Sequence, residues 1–295
     1  MACVRAAWLV MGASTIQLEN VPGGWSCEEL DLGYPAVRAV TSPRPDVDGI
    51  DDRTRLMGER AVSASIHAVA TGGASIDQIA ASFAPFMVPS ARPVLHYVLD
   101  RPGAAERIMT VRAAGYTWPI AGPIERQVHL QWIAPDPIAY DPTQRSATAY
   151  SGSTTAQGRV YNLTFNRTYA SGGGGAATAD LYTPGDITAR PLLRIYGPVS
   201  APTVLFSGGN GFVGFQPTLG LNAGQYVEVD CAAHTAYLNG DRSKNVLTLI
   251  DWTNIAANGG WPRIPPLTHV TMSMSGQSTG GTTQTTALWS DGYLA

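Results

Sequence analysis

Arg60-Ala61-Val62-Ser63-Ala64-Ser65-Ile66-His67-Ala68-Val69-Ala70 decides the fold class. Val62, Ala64, Ile66 and Ala68 fall on one side of an extended chain, and Ser63, Ser65 and His67 fall on the other. That period-two alternation is a strand with one face in a core and one in water; a helix would scatter the same residues around its axis. The pattern returns in Ile124–Ala134, where Val128, Leu130 and Trp132 oppose Gln127, His129 and Gln131. It returns again in Tyr161–Asn166, whose apolar side is Tyr161, Leu163 and Phe165. Further strands are predicted over Val94–Leu99, Arg107–Arg112, Leu192–Tyr196, Tyr226–Asp230, Asn245–Ile250 and His269–Met274. Met1–Ser14, with Arg5 ahead of Ala6–Met11, has the outline of a short signal peptide and is read as a first strand.

One segment breaks the period. Ile76, Ile79, Ala80 and Phe83 form a helical stripe, Ser75 with Gln78 makes a capping box, and Pro85 stops the helix. A single short helix is therefore expected near 75–84, inside an otherwise β-rich first half. Composition then shifts between Pro142 and Ala189: Ser146–Gly158 and Ser171–Ala179 are small and polar, and Gly172–Gly175 is an unbroken glycine run read as a flexible loop. This places a boundary near residue 145, with domains 1–145 and 146–295. In the second, Asn239-Gly240 is the signature of a type I′ hairpin turn. The expectation is an all-β chain of two β-sandwich domains, the first carrying the helix.

Composition excludes several functions. Of 295 residues, 44% are hydrophobic and 14% charged, against about 25% charged in an average domain; disorder needs the opposite balance. Nineteen basic and 22 acidic residues leave a net charge of −3, so no nucleic-acid recognition through phosphate neutralisation is expected. No apolar run approaches the roughly 18 residues of a membrane span. Lys244 is the sole lysine beside 18 arginines, a skew that subunit interfaces favour and that genomic base composition also produces. A lightly charged surface of this kind fits a protein covered by partner subunits. Cys3, Cys27 and Cys231 have no metal-type spacing and are read as buried free thiols.

No catalytic, cofactor or metal site is predicted. Gly209-Asn210-Gly211-Phe212-Val213-Gly214 matches G-x-G-x-x-G, but Phe215-Gln216-Pro217-Thr218 cannot open the helix that binds pyrophosphate, so a strand turn is expected. Asp46-Val47-Asp48-Gly49-Ile50-Asp51-Asp52 looks like a calcium loop with its glycine out of register, and reads as an acidic loop starting a hairpin. His67, His96, His129, His234 and His269 are scattered, and no serine sits in a G-x-S-x-G elbow. Glu28, Glu29 and Asp31 read as a surface patch as readily as a hydrolase acid/base set. Asn162 and Asn166 fit the glycosylation pattern without a secretory context.

Motif order carries a resemblance. Pro45-Asp46-Val47-Asp48-Gly49 leads to Arg55-Leu56-Met57-Gly58-Glu59-Arg60 and a strand; the helix, Arg92-Pro93-Val94-Leu95, Glu106–Arg112 and Ile133-Ala134-Pro135-Asp136-Pro137-Ile138-Ala139-Tyr140 follow. Then come Ile195-Tyr196-Gly197-Pro198, Leu221–Asp230, Thr235-Ala236-Tyr237-Leu238-Asn239-Gly240 and Ala287–Leu294. In this order they resemble the distal tail protein, a minor tail protein family of siphoviruses (long-tailed phages). Gln225 stands where the family has an acidic residue, and Asn254–Gly260 lacks its tidy lead into the next strand.

The resemblance implies a non-enzymatic virion protein at the distal tail tip, made in the host cytoplasm. Six copies of the first, belt-forming domain would close into a homohexamer between the tail tube protein and the tail-tip or baseplate hub protein. The second domain, a galectin-like sandwich, would carry receptor-binding or other peripheral tail proteins. The competing expectation is a carbohydrate-binding module that attaches to host-surface glycans through Tyr182, Trp252, Trp261 and Trp289.

Overall fold

The computed structural model describes residues 4–18, 24–43, 50–69, 76–117, 125–151, 178–278 and 283–294. The predicted strand over Tyr161–Asn166, the run Gly172–Gly175, the sequon residues Asn162 and Asn166, Ser75, Cys3 and the acidic stretch 46–49 lie outside these residues. The chain divides into two compact units: Met1–Pro142 with Tyr293–Ala295, and Thr143–Gly292.

Unit 1 runs β1 (Val4–Met11), β2 (Ser14–Gln17), β3 (Trp25–Asp31), β4 (Val37–Pro43), β5 (Ile50–Met57), β6 (Arg60–Val69), α1 (Ile76–Phe83), β7 (Val94–Leu99), β8 (Glu106–Thr110), β9 (Arg112–Thr117), β10 (Glu125–Ala134) and β11 (Ala139–Tyr140). Strands in the order β2-β1-β7-β8-β11 build one sheet, and β3-β6-β10-β9 build a second. Leu9, Leu95, Tyr97 and Met109 of the first share one core with Val62, Ile66, Leu130 and Trp132 of the second. The alternation read from 60–70 is realised: Val62, Ala64, Ile66 and Ala68 are all buried. Burying each large apolar side chain stabilises the fold by roughly 1.5–3 kcal/mol.

Helix α1 buries the predicted stripe through Ile76, Ile79 and Phe83. Phe83 meets Trp25 edge-on, with ring centroids 5.1 Å apart. Pro85 does end it, since its missing amide cannot continue the ladder and the chain tightens into a 3-10 turn over Ala84–Met87.

Unit 2 runs β12 (Arg145–Ser151), β13 (Thr178–Tyr182), β14 (Leu192–Tyr196), β15 (Val199–Phe206), β16 (Phe212–Gly214), β17 (Gly220–Leu221), β18 (Tyr226–Asp230), β19 (Thr235–Leu238), α2 (Trp252–Ala257), β20 (His269–Ser278) and β21 (Thr283–Trp289). Its sheets are β12-β21-β14-β18-β19 and β13-β20-β15-β16, with β17 on β15. Leu193, Ile195, Val227 and Ala287 of one pack with Leu181, Val204, Phe206 and Met272 of the other. Both units are thus antiparallel sandwiches, as the alternation required.

Two local expectations need correction, and one short helix in unit 2 had no counterpart in the pattern. Asn245–Ile250 is not a strand: the bridges Tyr237↔Asn245 and Phe215↔Ile250 flank a 3-10 turn at Leu247–Leu249. The Asn245 side chain accepts from the Leu247 amide at 2.8 Å, which draws the backbone into a turn. A second helix, α2, also exists, capped by Asp251, whose side chain accepts from the Asn254 amide. Asn239 and Gly240 do take positive φ, 55° and 69°, but the chain turns again at Asp241–Lys244 before bridging back, so no two-residue hairpin forms.

After Trp289, β22 (Gly292–Tyr293) adds the sixth strand to the β2-β1-β7-β8-β11 sheet, and the chain ends in unit 1. Arg60, 2% exposed, fixes this end. Its Nε donates to the Leu32 carbonyl at 2.6 Å and its Nη1 to the Leu294 carbonyl at 3.0 Å. Arg107 lies over the Tyr293 ring, 3.5 Å from its centroid.

Candidate interaction surface

The outer face of the β3-β6-β10-β9 sheet gathers the polar half of the sequence pattern. Register sets Ser63 opposite Gln131, Ser65 opposite His129 and His67 opposite Gln127. A bulge between Cys27 and Glu29 places consecutive residues, Glu28 and Glu29, along one concavity of about 420 Å³ with Ser63, Ser65, Gln127, His129 and Gln131. The side chains tie to one another: Gln127 Nε2 donates to Glu28 Oε2 at 2.9 Å, Ser65 Oγ meets His129 Nδ1 at 3.3 Å, and His67 pairs with Glu125. Glu28 and Glu29 are thus part of a hydrogen-bonded sheet face. Among the described residues, β3 and β9 have no strand on their outer sides.

The other candidates disperse. His96 bonds Glu106 at 2.5 Å and stacks on Trp8. His269 bonds Asp180 at 2.7 Å and stacks on Tyr182, centroids 4.6 Å apart. Among the described residues no group of three or more His, Cys, Asp or Glu side chains is placed to hold a metal. Gly209–Gly214 enters strand β16, as expected of a strand turn. Gly211 is required by close approach: a Cβ there would lie 2.5 Å from the Trp261–Pro262 backbone.

Of the aromatics offered as sugar platforms, Trp289 is buried in the core of unit 2, which removes it from that role. Trp252 is 49% exposed and meets Trp261 edge-on at 5.9 Å; Trp261 stacks on His234 at 4.8 Å. Cys231 is fully buried, and burial pushes its thiol pKa up. Cys27 is half-buried rather than buried, and its Sγ lies 3.3 Å from the Glu29 carbonyl.

No family model and no curated protein matches this chain. Among solved structures, the SPP1 Dit (gp 19.1) protein, a paradigm of hub adsorption apparatus in Gram-positive-infecting phages, matches with a TM-score of 0.60 at 11% identity, over 98% of this chain and 99% of that one. Two structures of the phage P2 baseplate in its activated conformation, with Ca and with Sr, match with a TM-score of 0.45 at 12% identity, over 96% of this chain and 98% of theirs. The chain shares the fold of the SPP1 Dit protein over the length matched.

Proposed function

We propose that this chain is a structural protein of a phage tail end. Six copies form a ring that links the tail tube to the tail-tip or baseplate hub, and the galectin-like second unit offers an attachment platform for peripheral proteins. The observation that carries the reading is the fold match along nearly the whole of both chains. The motif order read from the sequence supports it independently.

The physics of unit 1 agrees. A sheet with unpaired outer strands invites edge pairing, which natural proteins cover. Identical copies that set a β3 edge beside the next copy's β9 edge make a heterologous contact, and such contacts close into rings when the rotation permits. The polar face, bearing Glu28, Glu29, Glu125, Gln127 and Gln131, is then the lumen wall, and its negative charge keeps a polyanion from adhering. The low overall charge fits the same picture, with arginines carrying the polar part of the contacts.

In this reading the protein sits in the virion at the distal tail, after synthesis in the host cytoplasm, and does no chemistry. Antibody labelling of phage particles in negative stain tests it: label at the tail end is expected, and label on the head or on no particle contradicts it. Exposed Trp252, beside half-buried Trp261 and its stacked His234, favours one second reading for unit 2, a platform for a pyranose ring. Glycan-array binding that Trp252→Ala abolishes would establish that reading, and a silent array would remove it.

A further inference from the structure

We propose that the outer face of β14, β18 and β19 carries a shallow site for one neutral hexopyranose unit, independent of the ring contacts. Register sets Arg194 opposite Glu228 and Glu228 opposite Tyr237; in the next row Leu192 faces Asp230 and Asp230 faces Thr235. These six alternate with Leu193, Val227, Val229 and Ala236 of the core, so they share the face turned away from it. Strands about 4.8 Å apart and rows about 7 Å apart give a platform of about 7 by 10 Å, the plan of one sugar ring with its hydroxyls. The loops after β18 and β19 add a rim through Ala233, Gly240 and Arg242, which makes a concavity of about 240 Å³. That is below the roughly 300–1,000 Å³ of drug-sized pockets and suits a single small unit.

The polar groups are held in place before any ligand arrives. Arg194 Nε donates to Glu228 Oε2 at 2.9 Å, and Asp230 Oδ1 accepts from the Ala232 and Ala233 amides at 2.8 and 2.9 Å. Side chains fixed in the free protein lower the entropy cost of binding. Gly240 keeps the rim low: at φ 69°, a Cβ there would lie 3.2 Å from Tyr226 Oη and 4.0 Å from both Glu228 carboxylate oxygens. Carboxylates only accept, a guanidinium only donates, and a phenol does both. Neighbouring sugar hydroxyls donate and accept at once, so they use all three. The Tyr237 ring and Leu192 supply apolar surface for the C–H face of the sugar.

Charge and edge pairing select this ligand class. Glu228 and Asp230 against Arg194 and Arg242 sum to zero, so neither an anion nor a cation gains a net attraction. A peptide that adds as a strand needs a free edge, and the outer side of β19 is taken. The Leu238 amide donates to the Lys244 carbonyl and the Val246 amide to the Ala236 carbonyl, both at 3.0 Å. Trp252 is not among the walls of this cleft, so substitution separates the two places.

Saturation-transfer NMR on the full-length chain tests the site, with the methyl glycosides of glucose, galactose and mannose as probes. Transfer to at least one is expected, and amide shifts mapped with that probe should move within 192–194, 226–230 and 235–242. Glu228→Gln keeps the shape of the side chain and removes its charge. It should weaken binding about tenfold or more, with circular dichroism unchanged, whereas Trp252→Ala should leave binding intact. No transfer to any of the three at about 20 mM, or shifts confined to other residues, overturns the site and leaves the ring reading as it stands. Binding that Trp252→Ala abolishes and Glu228→Gln spares also overturns it, because the sugar then sits on the exposed tryptophan. The amide map needs no variant, so it decides even if Glu228→Gln fails to fold.

Discussion

Replacing Arg60 by methionine keeps the bulk of the side chain and removes the charge that ties the chain's end to unit 1. The guanidinium is buried, and burial draws its pKa down from the ordinary arginine value, with the nearby Asp31 carboxylate pulling it back up. It donates to the carbonyls of Leu32 at 2.6 Å and Leu294 at 3.0 Å, with a third contact to Pro137 at 3.4 Å. A hydrogen bond to a charged donor contributes about 1.5–3 kcal/mol net, and the longest contact counts for little. Removing the desolvation cost of the buried charge returns part of that sum. The expected loss is therefore about 2–4 kcal/mol. Hydrogen exchange by mass spectrometry reads it best, because it resolves the two units separately. Arg60→Met should speed exchange across unit 1, most at Tyr293–Leu294, and leave Thr178–Trp289 unchanged. A loss below about 0.5 kcal/mol, the level of an ordinary surface change, with an unchanged C-terminus would refute the clamp.

Other outcomes follow from single sites. The Asp251 carboxyl is held below its ordinary value of 3.8, first by its side-chain bond with Asn254. A depressed carboxylate stabilises above its unfolded pKa and loses that contribution as pH falls through the folded one. Trp252 fluorescence should therefore report fraying of α2 below about pH 4, and Asp251→Asn, which keeps the cap, should flatten that limb; an identical acid limb in the variant would contradict the assignment. Cys231 should resist thiol reagents in the native protein and react on unfolding, with Cys27 reacting first; peptide mapping that finds Cys231 labelled in native protein would be inconsistent with its burial. Gly33 takes φ 60°, and a Cβ there would sit 2.1 Å from the Ala61 carbonyl oxygen. Gly33→Ala should cost at least about 1–3 kcal/mol in urea unfolding, and a neutral result would mean the backbone there yields freely.

Strand alternation and the helical stripe carried most of the fold, because both are local and periodic. The buried arginine also left a trace: Arg60 has the parity of Val62, Ala64 and Ile66, an unusual place for a charge. Helix α2 left almost none, since its six residues bury only Ile255 and show no period. Asn245–Ile250 misled because Val246, Leu247, Leu249 and Ile250 make it an apolar run of strand length, while Asn245 redirects the backbone. The return of Tyr293 to unit 1 is a long-range pairing that no local pattern announces. The interaction surface was half legible. Its polar residues followed from alternation, but the edges that β3 and β9 leave open among the described residues depend on which strands pair.

The central claim is a ring at the tail end, and a cryo-electron-microscopy map of the tail tip tests it most directly. Copies of unit 1 are expected to be related by six-fold rotation around a channel, with β3 of each beside β9 of the next and the β3-β6-β10-β9 polar face toward the lumen. A map in which this chain is missing from the tail end, or in which its copies share no rotation axis, would contradict it.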